Sequence, residues 1–123
     1  MIGMEGTIRR LSLLVVEDDE TLARAIERQL KDHWKQVKAV YTVQQGLVEA
    51  ATGKYDVVLS DWDVPLGGGR VMIERCPLPV VIYTGGWLDA LAQHTNGTRL
   101  VQKPARTATL NVALYQAYKK SCL

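Results

Sequence analysis

VVLSDWDVP, residues 57–65, runs a short apolar stretch into Asp61, sets a second carboxylate at Asp63 and closes on Pro65. The run is too short for a helix and rich in strand formers, so it reads as a strand that ends at Asp61. Asp followed by Pro is also ordinary punctuation at a strand end. What makes Asp61 more than punctuation is the pattern on either side of it.

Upstream, Leu11–Val16 is a second continuous apolar run, and Thr21–Lys31 switches to helical spacing through Leu22, Ala25, Ile26, Gln29 and Leu30. Val37–Tyr41 reads as a strand. Val43–Ala51 reads as a helix stopped by Gly53. Downstream, Arg70–Arg75 suggests a short helix, Pro79–Thr84 a buried strand and Trp87–His94 a helix. Arg99–Gln102 reads as a fifth strand, and Thr107–Lys120 as a last helix with Thr107 as its N-cap. Strands alternating with helices predict an α/β fold: a doubly wound five-stranded parallel sheet covered on both faces. Residues 1–8 read as a loose lead-in, with Met1 and Met4 both possible starts, and 9–123 as one domain.

Composition narrows the class. The chain has 123 residues, 47% of them hydrophobic, enough for one core. Lys plus Arg total 15 against 13 Asp plus Glu, and the basic pairs Arg9-Arg10 and Lys119-Lys120 lie near the ends. No dense basic stripe predicts a nucleic-acid partner. No apolar run reaches membrane-spanning length, so no membrane association is expected. Cys76 and Cys122 form neither a disulfide framework nor a metal-ligand spacing and read as free thiols of a cytoplasmic protein.

In an open parallel sheet, chemistry gathers beyond the carboxyl ends of the strands, at the point where strand order reverses. The first strand ends in Glu17, Asp18, Asp19 and Glu20, the third in Asp61, the fourth in Thr84 before Gly85-Gly86, and the fifth in Lys103-Pro104. Clustered carboxylates repel and attract a divalent cation. Magnesium takes oxygen ligands and bridges to phosphate. A carboxylate can attack phosphorus, while a lysine and a hydroxyl neutralise the phosphoryl oxygens. Together the set suits phosphoryl transfer to a carboxylate.

The four segments LLVVEDD, VVLSDWDVP, PVVIYTG and LVQKP, spread over residues 9–121, resemble the receiver domain of two-component response regulators. That resemblance implies a flavodoxin-like sheet of order 2-1-3-4-5. It implies Asp61 as phosphoacceptor, Asp18 as a direct Mg²⁺ ligand, Glu17 acting mainly through water, and the backbone carbonyl of Asp63 completing the protein's ligands. Thr84 and Lys103 match the family's hydroxyl and lysine, with Pro104 in a bond that is typically cis. The implied partners are a sensor histidine kinase or a histidine phosphotransfer protein, and a downstream protein target. The implied activity is confined to the domain's own phosphorylation and dephosphorylation, so no separate enzyme is expected. Asp19 and Glu20 have no family role and read as helix-start acids.

Three features depart from the pattern. The stretch between Pro65 and Pro79 leaves room for about two helical turns, a shortened third helix. Thr84 to Lys103 is compact, with Gly85-Gly86 before the helix and Asn96-Gly97 after it. Leu100 stands where the family often carries Tyr or Phe, the ring that fills the space vacated by the threonine in the phosphorylated state.

Other readings compete. Asp61-Trp62-Asp63 also resembles the opening of haloacid-dehalogenase-type phosphatases, but there the partner acids follow the first Asp, and here they precede it. A phosphorylation-independent interaction module would keep the fold without the chemistry; it would bind its partner equally well with Asp61→Asn. Gly67-Gly68-Gly69 lacks the Lys-Ser/Thr ending of a phosphate-cradling loop and reads as a flexible turn. Trp34, Trp62 and Trp87 read as packing, with Trp62 over the rim of the site. His33 and His94 read as surface residues.

Overall fold

The structure, a computed structural model, describes residues 3–95 and 97–123. Met1 and the Asn96 half of the Asn96-Gly97 turn lie outside the described residues. Five strands form one parallel sheet, as the periodicity predicts, in the order β2-β1-β3-β4-β5 that the resemblance implies. They are β1 (Ser12–Val16), β2 (Gln36–Val40), β3 (Val57–Ser60), β4 (Val80–Thr84) and β5 (Leu100–Gln102). The helices are α1 (Met4–Ile8), α2 (Glu20–Leu30), α3 (Val43–Ala50), α4 (Gly68–Arg75), α5 (Leu88–Ala92) and α6 (Thr107–Ser121).

The continuous apolar strands have a simple cause. Successive side chains point to opposite faces, and both faces are covered. Leu13 and Val15 of β1, with Val57 and Leu59 of β3, join one core cluster together with Ile26, Leu30, Leu110 and Leu114 of α2 and α6. Leu14, Val16 and Val58 join the other, with Val43 and Ala50 of α3 and Met72 of α4. The edge strand β2 is exposed along much of its length, and its sequence accordingly alternates.

Helix ends follow local chemistry. Asp19 caps α2, its carboxylate accepting from the Leu22 N–H at 3.1 Å, and Glu20 sits in the first turn. Thr42 caps α3 in the same way through Gln45 N–H at 3.0 Å. Thr107, expected as a cap, is instead the first helical residue of α6; Arg106 holds the cap position and makes no side-chain bond there.

Three further expectations are corrected. The stretch 1–8 is not loose over 4–8: it contains α1, whose Ile8 is fully buried and whose Met4 packs on the same core. A five-residue helix is too short to show helical periodicity. The helix expected over Trp87–His94 is only Leu88–Ala92, shorter than the eight-residue α4 that stands for the predicted short third helix. Its buried-residue set is empty, so little apolar burial extends it.

Gly67-Gly68-Gly69 is the third correction, because it is closely packed: Gly67 is the turn residue that caps α4, and Gly68 and Gly69 open the helix. Leu66, Gly67 and Gly68 take consecutive positive φ values of 66°, 103° and 50°. A Cβ at Gly68 would lie 2.1 Å from the Trp62 carbonyl oxygen, and one at Gly69 would lie 2.8 Å from Ile82 and 2.9 Å from the Trp62 ring. Glycine is needed for the backbone conformation at Gly68 and for close approach at both positions. The run thereby seats α4 directly on the loop that follows Asp61.

Candidate functional site

Strand order reverses between β1 and β3, and the candidate site is built there. Val16 pairs with Ser60 in the parallel register, so the residues that follow, Glu17 and Asp61, leave the sheet side by side. The Asp61 N–H donates to the Val16 carbonyl at 3.0 Å, and the Glu17 N–H to the Val40 carbonyl at 3.0 Å. These backbone bonds hold both acids on strand ends rather than on free loops. Glu17, Asp18 and Asp61 each offer a carboxylate oxygen, and these oxygens lie within 4.8 Å of one another.

Lys103 arrives from the far edge. Its N–H donates to the Thr84 carbonyl at 2.8 Å, which continues the β4–β5 ladder one residue beyond β5. Its Nζ donates to Glu17 Oε1 at 2.6 Å and lies 3.2 Å from Asp61 Oδ2. One ammonium therefore bridges two carboxylates from different strand ends. The Lys103–Pro104 bond is cis.

The neighbouring acids differ in environment. Glu17 is 2% exposed, and its second oxygen accepts from the Asp19 N–H at 3.2 Å. Burial pushes its carboxyl above the ordinary range against the Lys103 hydrogen bond, and the charge of Asp61 adds to the rise. Asp18 is exposed and carries no ion pair among the described residues. Burial alone would lower Lys103, but the Glu17 hydrogen bond and the charge of Asp61 outweigh it and hold the ammonium above its ordinary value.

The remaining predicted residues sit close by in the fold. Asp63 is exposed, with its N–H 3.4 Å from Asp61 Oδ1. The neighbouring Trp62 carbonyl is taken by the Gly69 N–H at 3.0 Å. Thr84 is fully buried at the end of β4, and its hydroxyl oxygen accepts from the Gly86 N–H at 3.2 Å rather than from a site residue.

The tryptophans divide. Trp34 is core and donates to Asn111 at 2.9 Å, Trp62 is partly buried beneath Arg70, and Trp87 is 85% exposed. Packing therefore accounts for Trp34 and not for Trp87. Both histidines are exposed.

The hard oxygen donors of Glu17, Asp18 and Asp61 fit Mg²⁺ rather than a metal that prefers nitrogen or sulfur. The donor set is wholly carboxylate, and Lys103 neutralises part of its charge.

No family model matches the chain. The chain is 32% identical over 77 residues to the KDP operon transcriptional regulatory protein KdpE of Escherichia coli, covering 59% of this chain and 34% of that protein. It is 37% identical over 65 residues to the transcriptional regulatory protein DltR of Streptococcus agalactiae, covering 53% of this chain and 29% of that one. A solved receiver-domain protein from Clostridium thermocellum superposes with a TM-score of 0.79 at 23% identity, over 91% of this chain and 97% of its own. The receiver domain of a LuxO-type repressor protein from Vibrio parahaemolyticus superposes with a TM-score of 0.76 at 22% identity, over 92% and 93%. The chain has the receiver-domain fold, and over part of its length it is similar in sequence to response regulators. The match spans about a third of the length of these two curated relatives, 34% and 29%. The chain has no helix long and apolar enough to cross a membrane among its described residues.

Sequence reasoning missed one neighbour of the site. Tyr83 is 5% exposed, its ring centroid is 5.6 Å from Lys103 Nζ, and its hydroxyl accepts from the Ala105 N–H at 2.9 Å. The available signal was a polar-tipped aromatic inside the otherwise apolar PVVIYTG.

Proposed function

We propose that this receiver domain takes a phosphoryl group onto Asp61 in a Mg²⁺-dependent reaction and passes the change of state to a protein partner. The observation that carries this reading is the convergence of three carboxylates from two strand ends, with Lys103 bridging two of them. Asp61 Oδ attacks phosphorus as the bond from phosphorus to the donor breaks, and the electron pair of that bond leaves with the donor. The donor is a phosphohistidine on a sensor kinase or phosphotransfer protein, or a small acyl phosphate. Hydrolysis later reverses the modification: water attacks phosphorus, and the Asp61 carboxylate and inorganic phosphate are released.

Asp18, exposed and unpaired, is the direct metal ligand in this reading. Glu17 has both oxygens engaged by Lys103 and the Asp19 N–H, which suits a contribution through water. The Asp63 carbonyl serves as the backbone ligand, since the Trp62 carbonyl is occupied by Gly69. Bound Mg²⁺ would supply positive charge to the phosphoryl oxygens and relieve the repulsion among the acids. Lys103 supplies a second positive charge to the same oxygens, and Thr84 supplies a hydroxyl once it turns from Gly86.

The test is intact-protein mass spectrometry after incubation with Mg²⁺ and a small acyl-phosphate donor. Wild type is expected to gain one phosphoryl group and Asp61→Asn none. Equal labelling of the two proteins overturns the assignment.

A further inference from the structure

We infer that Tyr83 is the positioning residue for Lys103: its ring supports the ammonium and its hydroxyl fastens the turn that carries the lysine. The kinetic half of this inference rests on the phosphoacceptor reading; the geometric half does not.

A lysine is a point charge on a flexible four-carbon stem, and aiming it costs rotamer entropy. Lys103 has to reach past β4 to Asp61 and past β4 and β3 to Glu17, so its stem and its turn must both be held. Residues 103–105 are pinned to β4 at two points. The Lys103 N–H donates to the Thr84 carbonyl at 2.8 Å, and the Ala105 N–H donates to the Tyr83 hydroxyl at 2.9 Å. On its other side, the Ala105 carbonyl accepts from Gln29 Nε2 of α2 at 3.0 Å. Both backbone polar groups of Ala105 are thus satisfied by side chains from elements distant in sequence.

The ring does the second half. At 5.6 Å from the centroid, the ammonium lies within cation–π range, and a half-buried setting strengthens that attraction. Tyr83 cannot easily yield, because it is buried in the cluster shared with Val101, Leu110 and Leu114. Leu100, lacking a ring, supplies nothing of this kind. Hydroxyl and ring are separable, since Tyr83→Phe removes only the bond to Ala105 and Tyr83→Leu removes both supports.

The experiment uses the full chain in two arms. In the metal-free protein, the Lys103 ε-methylene proton resonances are followed by NMR. They are expected to move in Tyr83→Leu, where the ring current is lost, and to stay near their wild-type position in Tyr83→Phe. Exchange of the Ala105 amide is expected to quicken in Tyr83→Phe. Unmoved Lys103 resonances in Tyr83→Leu, or an unchanged Ala105 amide in Tyr83→Phe, overturn the inference.

In the kinetic arm, phosphorylation by an acyl phosphate is expected to slow about fivefold in Tyr83→Phe, the worth of one neutral hydrogen bond. It is expected to slow about tenfold or more in Tyr83→Leu. Mg²⁺ affinity should stay unchanged in both. In a Lys103→Ala background neither substitution should slow the reaction further, because a positioning residue acts only through what it positions. Additive losses there would mean that Tyr83 is merely structural. Should Tyr83→Leu fail to fold, Tyr83→Phe decides the inference through the Ala105 amide and the phosphorylation rate. Should wild type take up no phosphoryl group, the phosphoacceptor reading fails and the NMR arm alone decides Tyr83.

Discussion

The two halves of the sheet hold their parts of the site by different means. On the β1–β3 side, Glu17 and Asp61 continue fully buried strands, which pack against α2 and α6 on one face and α3 and α4 on the other. On the β4–β5 side, β5 has only three residues, and none of the five in α5 is buried. There Lys103 is held by individual hydrogen bonds, through Thr84, Tyr83 and Gln29, rather than by continuous packing. A site with one fixed side and a lightly packed β5–α5 edge has a direction in which it can move. Local stability within a fold varies with buried apolar contact, and moving elements come from the weaker end.

The largest expected effect tests that contrast through stability. Leu59, 1% exposed in β3, should cost about 3 kcal/mol when cut to alanine. Leu91, partly exposed on α5, should cost about 1 kcal/mol or less. Urea unfolding midpoints measure both. A loss at Leu91 equal to that at Leu59 would break the comparison.

A second test asks which half responds to phosphorylation. Hydrogen exchange with and without a stable phosphoryl mimic should change mainly within residues 84–94, following the Gly85-Gly86 segment and α5. The change should largely vanish in Thr84→Ala, which removes the hydroxyl that accepts from the Gly86 N–H, and survive in Leu100→Ala. Abolition by Leu100→Ala would make that leucine a switch in its own right.

The smallest effect sharpens the picture of the fixed half. Burial first, and then the charge of Asp61, raise the folded-state pKa of Glu17 above 4.5 despite Lys103. A raised carboxylate binds its proton more tightly folded than unfolded. Its contribution to stability is therefore present below pH 4.5 and lost as pH rises through the folded value. Metal-free wild type should lose stability relative to Glu17→Gln across that window, and Mg²⁺ should restore it at neutral pH. Denaturant midpoints over a pH series, with and without Mg²⁺, check this. A difference that runs the other way would mean that Lys103 over-compensates burial.

The parallel sheet and the residues at its carboxyl edge were legible because they depend on neighbours in the chain, while the strand order came from the resemblance of whole motifs. A switch from strand to helix period marks each strand end, and the next residue is the one presented at the edge. Asp61, Glu17, Thr84 and Lys103 are all read that way. The sequence could not say that Glu17 is buried while adjacent Asp18 is exposed, for Glu17 is enclosed by Lys103, 86 residues away. Nor could it say that Tyr83 supports that lysine, that Gly68 and Gly69 let α4 sit on the Trp62 backbone, or that Met4–Ile8 is a docked helix. Chain order alone determines which chemical groups reach the site's edge. Burial and ion pairing at that edge are set by distant segments, because desolvation and Coulomb terms depend on what lies across space.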